Sequence, residues 1–232
     1  GTGSLISCSN CMVVPIALTL YPLMEEYDFS SVNIVTEQSL SGGGRKMLER
    51  GRSGLTIDSS IPGESESIIS ELNRILGKKN EGIFQEANLD VKVWCSRSSH
   101  DFGHLATVEI IFSNNISAHE IIEAWQNFSS DTFDSRLPSS SKIINFVDGK
   151  LDPIKHRWGD SIANLPDKNL SAGMSVYVGE IEVTGKKLKF KLLSDNTIRG
   201  AAGYGVLLAE LLLAEEIIQD NYLTNTSFNR SN

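Results

Sequence analysis

The stretch LDVKVWCSRSSHDFGHLATVEIIFS, residues 89–113, decides the predicted fold. Within it, residues 89–96 and 105–113 alternate between apolar and polar side chains, which is the period of a half-buried strand. The loop RSSHDFGH joins these two segments. We therefore predict two strands that are consecutive in the sequence and connected by a polar loop.

The rest of the chain divides into further strands and helices. Strands are predicted for VNIVTEQSL, MSVYVGEIEV and KLKFKLLS, residues 32–40, 174–183 and 187–194. Helices are predicted for residues 11–27, 45–51, 65–76, 117–128 and about 199–219. Because most strands follow one another, with helices between some of them, we predict an α+β domain. Its sheet is mixed and largely antiparallel, with helices on one face and a long C-terminal helix.

The composition limits the classes of protein to which the chain can belong. It has 232 residues and a net charge of −8, which argues against nucleic acid or an anionic membrane as a partner. The longest apolar stretches contain prolines or glutamates and are shorter than the roughly 20 residues that a bilayer requires. Three cysteines are too few for a disulfide framework, and no basic leader opens the chain, so we expect a cytoplasmic protein.

Cys11 stands at the start of the first predicted helix, before the apolar run MVVPIALTLYPL. A cysteine there faces unpaired backbone N–H groups and the positive end of the helix dipole, which favour the nucleophilic thiolate. The sequence therefore suggests covalent catalysis through sulfur. Cys8 and Cys11 also form a C-x-x-C, which is compatible with a redox pair or half a zinc site, and Cys8 is equally explained as a small buried residue. Cys95 and the scattered histidines offer no second paired motif, so we expect no metal.

His104 and Arg97 lie seven residues apart in the loop between the two deciding strands. A thiol nucleophile needs a base, and histidine titrates in the suitable range, although His100, His119 and His156 compete for this role. The Arg97 guanidinium is suited to binding a carboxylate through two hydrogen bonds. A surface salt bridge is the alternative for this arginine.

Three polar positions follow predicted strands. The Gln38 amide is suited either to orienting a substrate carbonyl or to tying a turn. The loop Ser41–Gly44 opens a helix, so its N–H groups would suit an anion, although it lacks the Lys-Ser/Thr of a P-loop. Asn196 precedes the last helix, where Asn196 or Thr197 would also serve as an ordinary cap.

Five segments together resemble the aspartate-β-semialdehyde dehydrogenase family in its archaeal and fungal form. They occur in the family's order and cover nearly the whole chain: SNCMVVPIALTLYPL, TEQSLSGGG, CSRSSHDFGH, GMSVYVG and SDNTIRGAAG. The resemblance implies a fold similar to the C-terminal domain of glyceraldehyde-3-phosphate dehydrogenase. It also implies a homodimer or homotetramer.

The resemblance assigns roles to the residues on the substrate side. Cys11 would be the nucleophile that forms an acyl-enzyme, and Gln38 would help to hold the acyl group. Arg97 would bind the substrate α-carboxylate, and Glu64 the amino group. His104 would be the acid/base.

The resemblance also implies the cofactor and the reaction. NADP(H) would approach Asn196 with its nicotinamide end, beside Ser41 and Gly42. The reaction would be the reductive dephosphorylation of β-aspartyl phosphate to aspartate semialdehyde, a step of lysine, threonine and methionine biosynthesis. An archaeal malonyl-CoA reductase of the same family is the nearest rival, and a non-catalytic dimerisation module is another alternative.

Two departures from the family pattern affect these expectations. No strand–GxGxxG–helix occurs, so we expect a catalytic and dimerisation domain over residues 1–220, inactive alone, and a frayed tail over 221–232. In the family, the helix at about 199–219 packs on the nucleotide-binding domain. Ser67 aligns with a family lysine that aids substrate binding, which puts the affinity for phosphate in question.

Overall fold

The computed structural model describes residues 5–131, 136–139, 143–160 and 170–218. The predicted tail over residues 221–232 lies outside these ranges. In the described ranges, the α-helices are α1 (Val13–Glu26), α2 (Gly44–Arg52), α3 (Glu64–Ile75), α4 (Ala118–Asp131), α5 (Pro153–His156), α6 (Leu170–Gly173) and α7 (Gly203–Ala214). The strands are β1 (Phe29–Gln38), β2 (Lys78–Asn80), β3 (Ile83–Gln85), β4 (Asp90–Arg97), β5 (His104–Phe112), β6 (Ile144–Phe146), β7 (Arg157–Asp160), β8 (Val176–Thr184) and β9 (Lys187–Ser194).

One six-stranded sheet organises the domain, in the order β4-β1-β5-β9-β8-β6. The pairs β1–β4 and β8–β6 are parallel, whereas β1–β5, β5–β9 and β9–β8 are antiparallel. Strands β2 and β3 form a separate hairpin. The predicted α+β fold with a mixed, largely antiparallel sheet is therefore confirmed.

The hydrophobic core lies between one face of this sheet and helices α1, α3 and α4. Alternation along the strands turns residues such as Val108, Ile110 and Phe190 toward this face. Helix α1 is almost wholly apolar and lies in the centre of the layer. The Trp125 ring of α4 packs edge-on against Phe190 at 4.9 Å, and its Nε1 donates to the Thr19 carbonyl at 2.9 Å.

The opposite face of the sheet is partly open. Val35 pairs with Trp94 across β1 and β4, and both side chains are exposed, as is Ile111 on β5. On the same face, the Lys187 ammonium pairs with the Glu109 carboxylate at 2.6 Å. The open face therefore combines exposed apolar side chains with paired charges.

The C-terminal helix differs from its prediction, which was one helix over about 199–219. It begins with a π-helical turn, Ile198–Ala202, in which the Ala202 N–H donates to the Thr197 carbonyl five residues earlier. Helix α7 ends at Ala214, because Glu216 adopts a left-handed backbone with φ of 55°. The sequence patterns also missed the β2–β3 hairpin and the short elements α5, α6, β6 and β7, which are too short to show a period.

Candidate active site

Four strand ends meet at one end of the sheet. Because β1 and β4 are parallel, their last residues, Gln38 and Arg97, lie side by side. Strand β5 runs the other way and begins there with His104, opposite Ser194 at the end of β9. The topology therefore brings together side chains that are far apart in the sequence, and Asn196 follows Ser194 directly.

Asn10 fixes the backbone that carries Cys11. Its carbonyl accepts hydrogen bonds from the N–H groups of Val13 and Val14 at 3.0 and 3.4 Å. Its side-chain Oδ1 accepts from the Met12 N–H at 2.8 Å. In the described parts of the chain, the N–H of Cys11 itself has no acceptor on another residue. This N–H is therefore available to a bound group.

The thiol of Cys11 is in an environment that opposes ionisation. Burial and, next, the Glu64 carboxylate raise the pKa of the Cys11 thiol to about 11. The N–H of Cys11 itself, the Arg97 guanidinium and the Met12 N–H lower it, but by less. The expectation that the start of the helix favours the thiolate is therefore wrong for the free protein. Cys11 lies two residues before α1, and burial outweighs the backbone N–H groups.

Gly200 provides part of this burial from the π-helical turn. A Cβ atom at Gly200 would lie 2.7 Å from the Cβ of Cys11, so only glycine allows the turn to approach so closely. The turn is held by Asp195, whose Oδ1 accepts from the N–H groups of Thr197 and Ile198 at 2.8 and 3.1 Å. Thr197 is thus the N-cap position of the turn, as one of the two predicted alternatives had it, but the side-chain oxygen that accepts the free N–H groups is that of Asp195.

His104 is fully buried and uncharged. The Ser39 N–H donates to its Nδ1 at 3.0 Å, which places the ring hydrogen on Nε2. Among the described residues, Nε2 has no partner. Burial, then the Arg97 guanidinium and His100, lower the pKa of His104 to about 3. His104 therefore offers a neutral N–H donor, since a proton on Nδ1 would face the Ser39 N–H.

The other histidines have different surroundings. His100 Nε2 donates to the Gly103 carbonyl at 2.7 Å, and His156 Nδ1 accepts from the Asp152 N–H at 2.9 Å. His119 is exposed on α4 and lies 3.7 Å from Glu123. Of the four histidines, His104 is the one that begins a strand at the end of the sheet where Gln38 and Arg97 lie.

Glu64 joins the predicted site residue Gln38 to the loop that carries Cys11. Its Oε1 accepts from Gln38 Nε2 at 2.8 Å and from Asn10 Nδ2 at 3.0 Å. Its Oε2 has no hydrogen-bond partner in the described ranges. Arg97 uses Nη1 to donate to the Ser39 carbonyl at 3.0 Å. The site therefore offers a ligand one carboxylate oxygen of Glu64 and the remaining N–H groups of the Arg97 guanidinium.

Asn196 connects the predicted cofactor residues to His104. Its Oδ1 accepts from Ser39 Oγ at 3.1 Å and from the Gly103 N–H at 3.0 Å, while its Nδ2 donates to Ser41 Oγ at 3.0 Å. Gly42 lies against His104, because a Cβ there would be 2.8 Å from the ring Cε1. All eight predicted site residues thus lie at the same end of the sheet.

The described ranges contain neither a metal-binding cluster nor a membrane-spanning helix. These residues contain no group of three or more His, Cys, Asp or Glu side chains that could hold a metal ion, and Cys8, Cys11 and Cys95 are free thiols. None of the helices described has the length and hydropathy that crossing a bilayer requires.

Comparisons with known proteins agree with this arrangement. The chain is 31% identical over 221 residues to aspartate-semialdehyde dehydrogenase of Archaeoglobus fulgidus, covering 93% of this chain and 60% of that protein. It is 29% identical over 228 residues to malonyl CoA reductase (NADP) of Metallosphaera sedula, with the same two coverages, 93% and 60%. No family model matches the chain.

A solved structure shows the same fold. The crystal structure of aspartate semialdehyde dehydrogenase with NADP from Candida albicans matches with a TM-score of 0.73 and 27% identity, over 93% of this chain and 60% of that one. The chain spans about 60% of the length of these relatives. The resemblance inferred from the five segments is thus confirmed. Over this shared part, the chain is similar in sequence and in fold to aspartate-semialdehyde dehydrogenases.

Proposed function

We propose that this chain is the catalytic and dimerisation part, over residues 1–220, of an NADP-dependent aspartate-semialdehyde dehydrogenase. The full-length protein would convert β-aspartyl phosphate to aspartate semialdehyde through a thioester on Cys11, in the cytoplasm. The observation that carries the proposal is the meeting of Cys11, Gln38, Arg97 and His104 at one end of the sheet, beside Glu64.

Two opposite charges suit an amino-acid substrate. The Arg97 guanidinium retains N–H groups for an α-carboxylate after its bond to the Ser39 carbonyl. The open Oε2 of Glu64 would accept a hydrogen bond from an α-ammonium group. Both residues interact electrostatically with the Cys11 thiol, so a substrate held by them would have its acyl group near sulfur.

Acylation would use two uncharged donors. The Cys11 thiolate attacks the acyl carbon, and phosphate leaves with the electrons of the C–O bond that breaks. The oxyanion on the acyl oxygen would receive the Cys11 N–H and the His104 Nε2–H, both of which lack an acceptor on another described residue. Each such donor lowers the barrier by about 3 kcal/mol. We therefore assign His104 the role of donor rather than base, because its Nδ1 is already occupied by the Ser39 N–H.

The described residues fit only the nicotinamide end of NADP(H). Asn196 Nδ2 donates one N–H to Ser41 Oγ, and its second N–H has no acceptor among the described residues, while Gly42 packs against the His104 ring. No GxGxxG loop joins a strand to a helix in the described ranges. When bound, NADPH supplies the hydride that reduces the thioester. The Cys11 and His104 donors then hold the second oxyanion until the C–S bond breaks and releases the aldehyde.

Turnover by the full-length protein tests this proposal. We expect oxidation of NADPH that depends on β-aspartyl phosphate and stops when Cys11 is replaced by alanine. The matched control is Cys8→Ala, because Cys8 is an exposed free thiol. Wild-type protein that does not turn over β-aspartyl phosphate would rule out the proposed substrate.

One observation favours malonyl-CoA as an alternative substrate. Ser67, at the position where the resemblance implies a lysine, donates its hydroxyl to Glu71 Oε1 at 2.9 Å and brings no positive charge. A relative of similar identity is a malonyl CoA reductase. Comparing kcat/KM for β-aspartyl phosphate and malonyl-CoA separates the two: a ratio in favour of the thioester supports the alternative.

The open face of the sheet supports a homodimer, or a homotetramer built from dimers. Val35, Trp94 and Ile111 expose apolar surface that a second copy would cover. Sedimentation of the full-length protein tests this, since Trp94→Glu would place a charge in the interface and shift the protein toward monomer. A purely non-catalytic module would form the same dimer, but it would leave the Cys11→Ala variant indistinguishable from wild type in every assay.

A further inference from the structure

Glu71 holds the residue that precedes the nucleophile. Its Oε2 accepts a hydrogen bond from the Asn10 N–H at 2.8 Å, and its Oε1 accepts from Ser67 Oγ at 2.9 Å. Asn10 is 61 residues away in the sequence. This contact therefore joins helix α3 directly to the backbone that enters Cys11.

The residues of helix α3 that contact the Asn10 backbone and side chain lie on one face of the helix. Glu64, Ser67 and Glu71 are spaced i, i+3 and i+7, so their side chains lie in one row. Glu64 binds the Asn10 side chain through Nδ2 at 3.0 Å, whereas Glu71 binds the Asn10 main chain. Two carboxylates of one helix thus hold Asn10 at two separate atoms.

Asn10 in turn sets the direction of the Cys11 peptide. Its N–H points to α3, and its carbonyl accepts the first N–H groups of α1, Val13 and Val14. Once the Asn10 N–H is bound by Glu71, the next N–H, that of Cys11, is the one without an acceptor on another described residue. The bond from Asn10 to Glu71 therefore selects which backbone N–H remains for an oxyanion.

We propose that Glu71 is a positioning residue, which orients the Asn10 peptide so that the Cys11 thiol and the Cys11 N–H face the same bound group. Its effect on turnover rests on the proposed function, whereas its effect on the thiol does not. Glu64, and not Glu71, is the carboxylate that raises the pKa of Cys11. Glu71 therefore acts by geometry, and a neutral acceptor of the same shape should replace it.

Alkylation of Cys11 by iodoacetamide measures the geometry without any substrate. We expect Glu71→Ala to change the second-order rate at Cys11, followed by peptide mass spectrometry from pH 7 to 11, by about tenfold. Glu71→Gln should stay within about twofold of wild type, because its amide oxygen still accepts the Asn10 N–H. The rate at Cys95 should not change in either variant. A parallel rise at Cys95 would indicate general unfolding and would overturn the proposal.

Glu66→Ala is the matched control, since Glu66 is an exposed glutamate of the same helix whose side chain has no hydrogen-bond partner among the described residues. A Glu71→Ala profile identical to that of Glu66→Ala would contradict the proposal. So would a Glu71→Gln profile as altered as that of Glu71→Ala, because charge rather than geometry would then matter.

Turnover by the full-length protein adds a second, separate readout. In Glu71→Ala we expect kcat to fall by roughly 10- to 100-fold with KM within about twofold, because misplacing the nucleophile affects the reaction more than binding. A rise in KM with unchanged kcat would contradict a positioning role. If wild-type protein shows no turnover at all, the proposed function fails, and the alkylation rates still decide the role of Glu71.

Discussion

The candidate site contains a neutral pair, Cys11 and His104, and a charged pair, Glu64 and Arg97, which differ in how the fold controls them. Burial keeps the neutral pair uncharged, with pKa values of about 11 for Cys11 and about 3 for His104. The charged pair is only partly buried and retains groups for a ligand. The comparison teaches that burial keeps the two proposed reacting groups uncharged in the free protein, while the charges beside them shift the pKa of the Cys11 thiol.

Replacing Cys11, the proposed nucleophile of the neutral pair, should have the largest effect on turnover. We expect Cys11→Ser in the full-length protein to lower kcat by roughly 10³-fold or more, because a serine hydroxyl without a base is a poor nucleophile. The measurement is steady-state NADPH oxidation, with Cys8→Ser as the control. Residual activity above one tenth of wild type would mean that Cys11 is not the nucleophile.

Removing the donor of the neutral pair should have the next largest effect. His104→Ala is expected to lower kcat by about 10²- to 10³-fold, the usual loss for one oxyanion donor. Because the pKa of His104 lies near 3, we also expect the pH profile of wild-type kcat/KM to show no histidine ionisation between pH 6 and 7. An ionisation near pH 6.5 in this profile that disappears in His104→Ala would contradict the assignment of His104 as a neutral hydrogen-bond donor.

Crowding His104 should affect the site without removing any of its groups. A Cβ at Gly42 would lie 2.8 Å from His104 Cε1 and 3.0 Å from Arg97 Nη1. We expect Gly42→Ala to lower kcat/KM by about tenfold through displacement of the ring. Gly205→Ala is the control, since a Cβ there meets nothing closer than Cys8 Sγ at 3.9 Å. Equal activity of the two variants would show that displacing the His104 ring does not affect turnover.

Neutralising the two members of the charged pair one at a time should have the smallest effects. These effects on the pKa of Cys11 should have opposite signs. Glu64→Gln removes a negative charge, so it should lower the pKa of Cys11 and speed alkylation at pH 8 by roughly threefold. Arg97→Met should raise that pKa and slow alkylation. In every variant, the rate should rise with pH toward the pKa, because the thiolate reacts. Shifts of the same sign in the two variants would show that structural change, rather than charge, controls the thiol.

The helices and strands could be predicted from the sequence wherever their apolar residues recur with a helical or strand period. Alternation located β4, β5, β8 and β9, and helical spacing located α1, α3 and α4. The convergence of the site depends on the parallel pairing of β1 with β4, which no local pattern shows; the family resemblance supplied it for Gln38, Arg97 and His104.

The ionisation of Cys11 could not be predicted, because its cause is distant in the sequence. Gly200 closes over Cys11 from the π-helical turn, and this turn depends on the Asp195 cap. The dipole argument considered only the helix that follows Cys11. Glu71 was missed for the same reason, since its partner Asn10 precedes it by 61 residues.

Trapping the acyl-enzyme tests the central claim most directly. Full-length protein mixed with β-aspartyl phosphate, without NADPH, should release one phosphate per active site and gain the mass of one aspartyl group. Peptide mapping should place this group on Cys11, and Cys11→Ala should show neither change. Aspartyl on another residue, or phosphate release without a covalent adduct, would contradict the account.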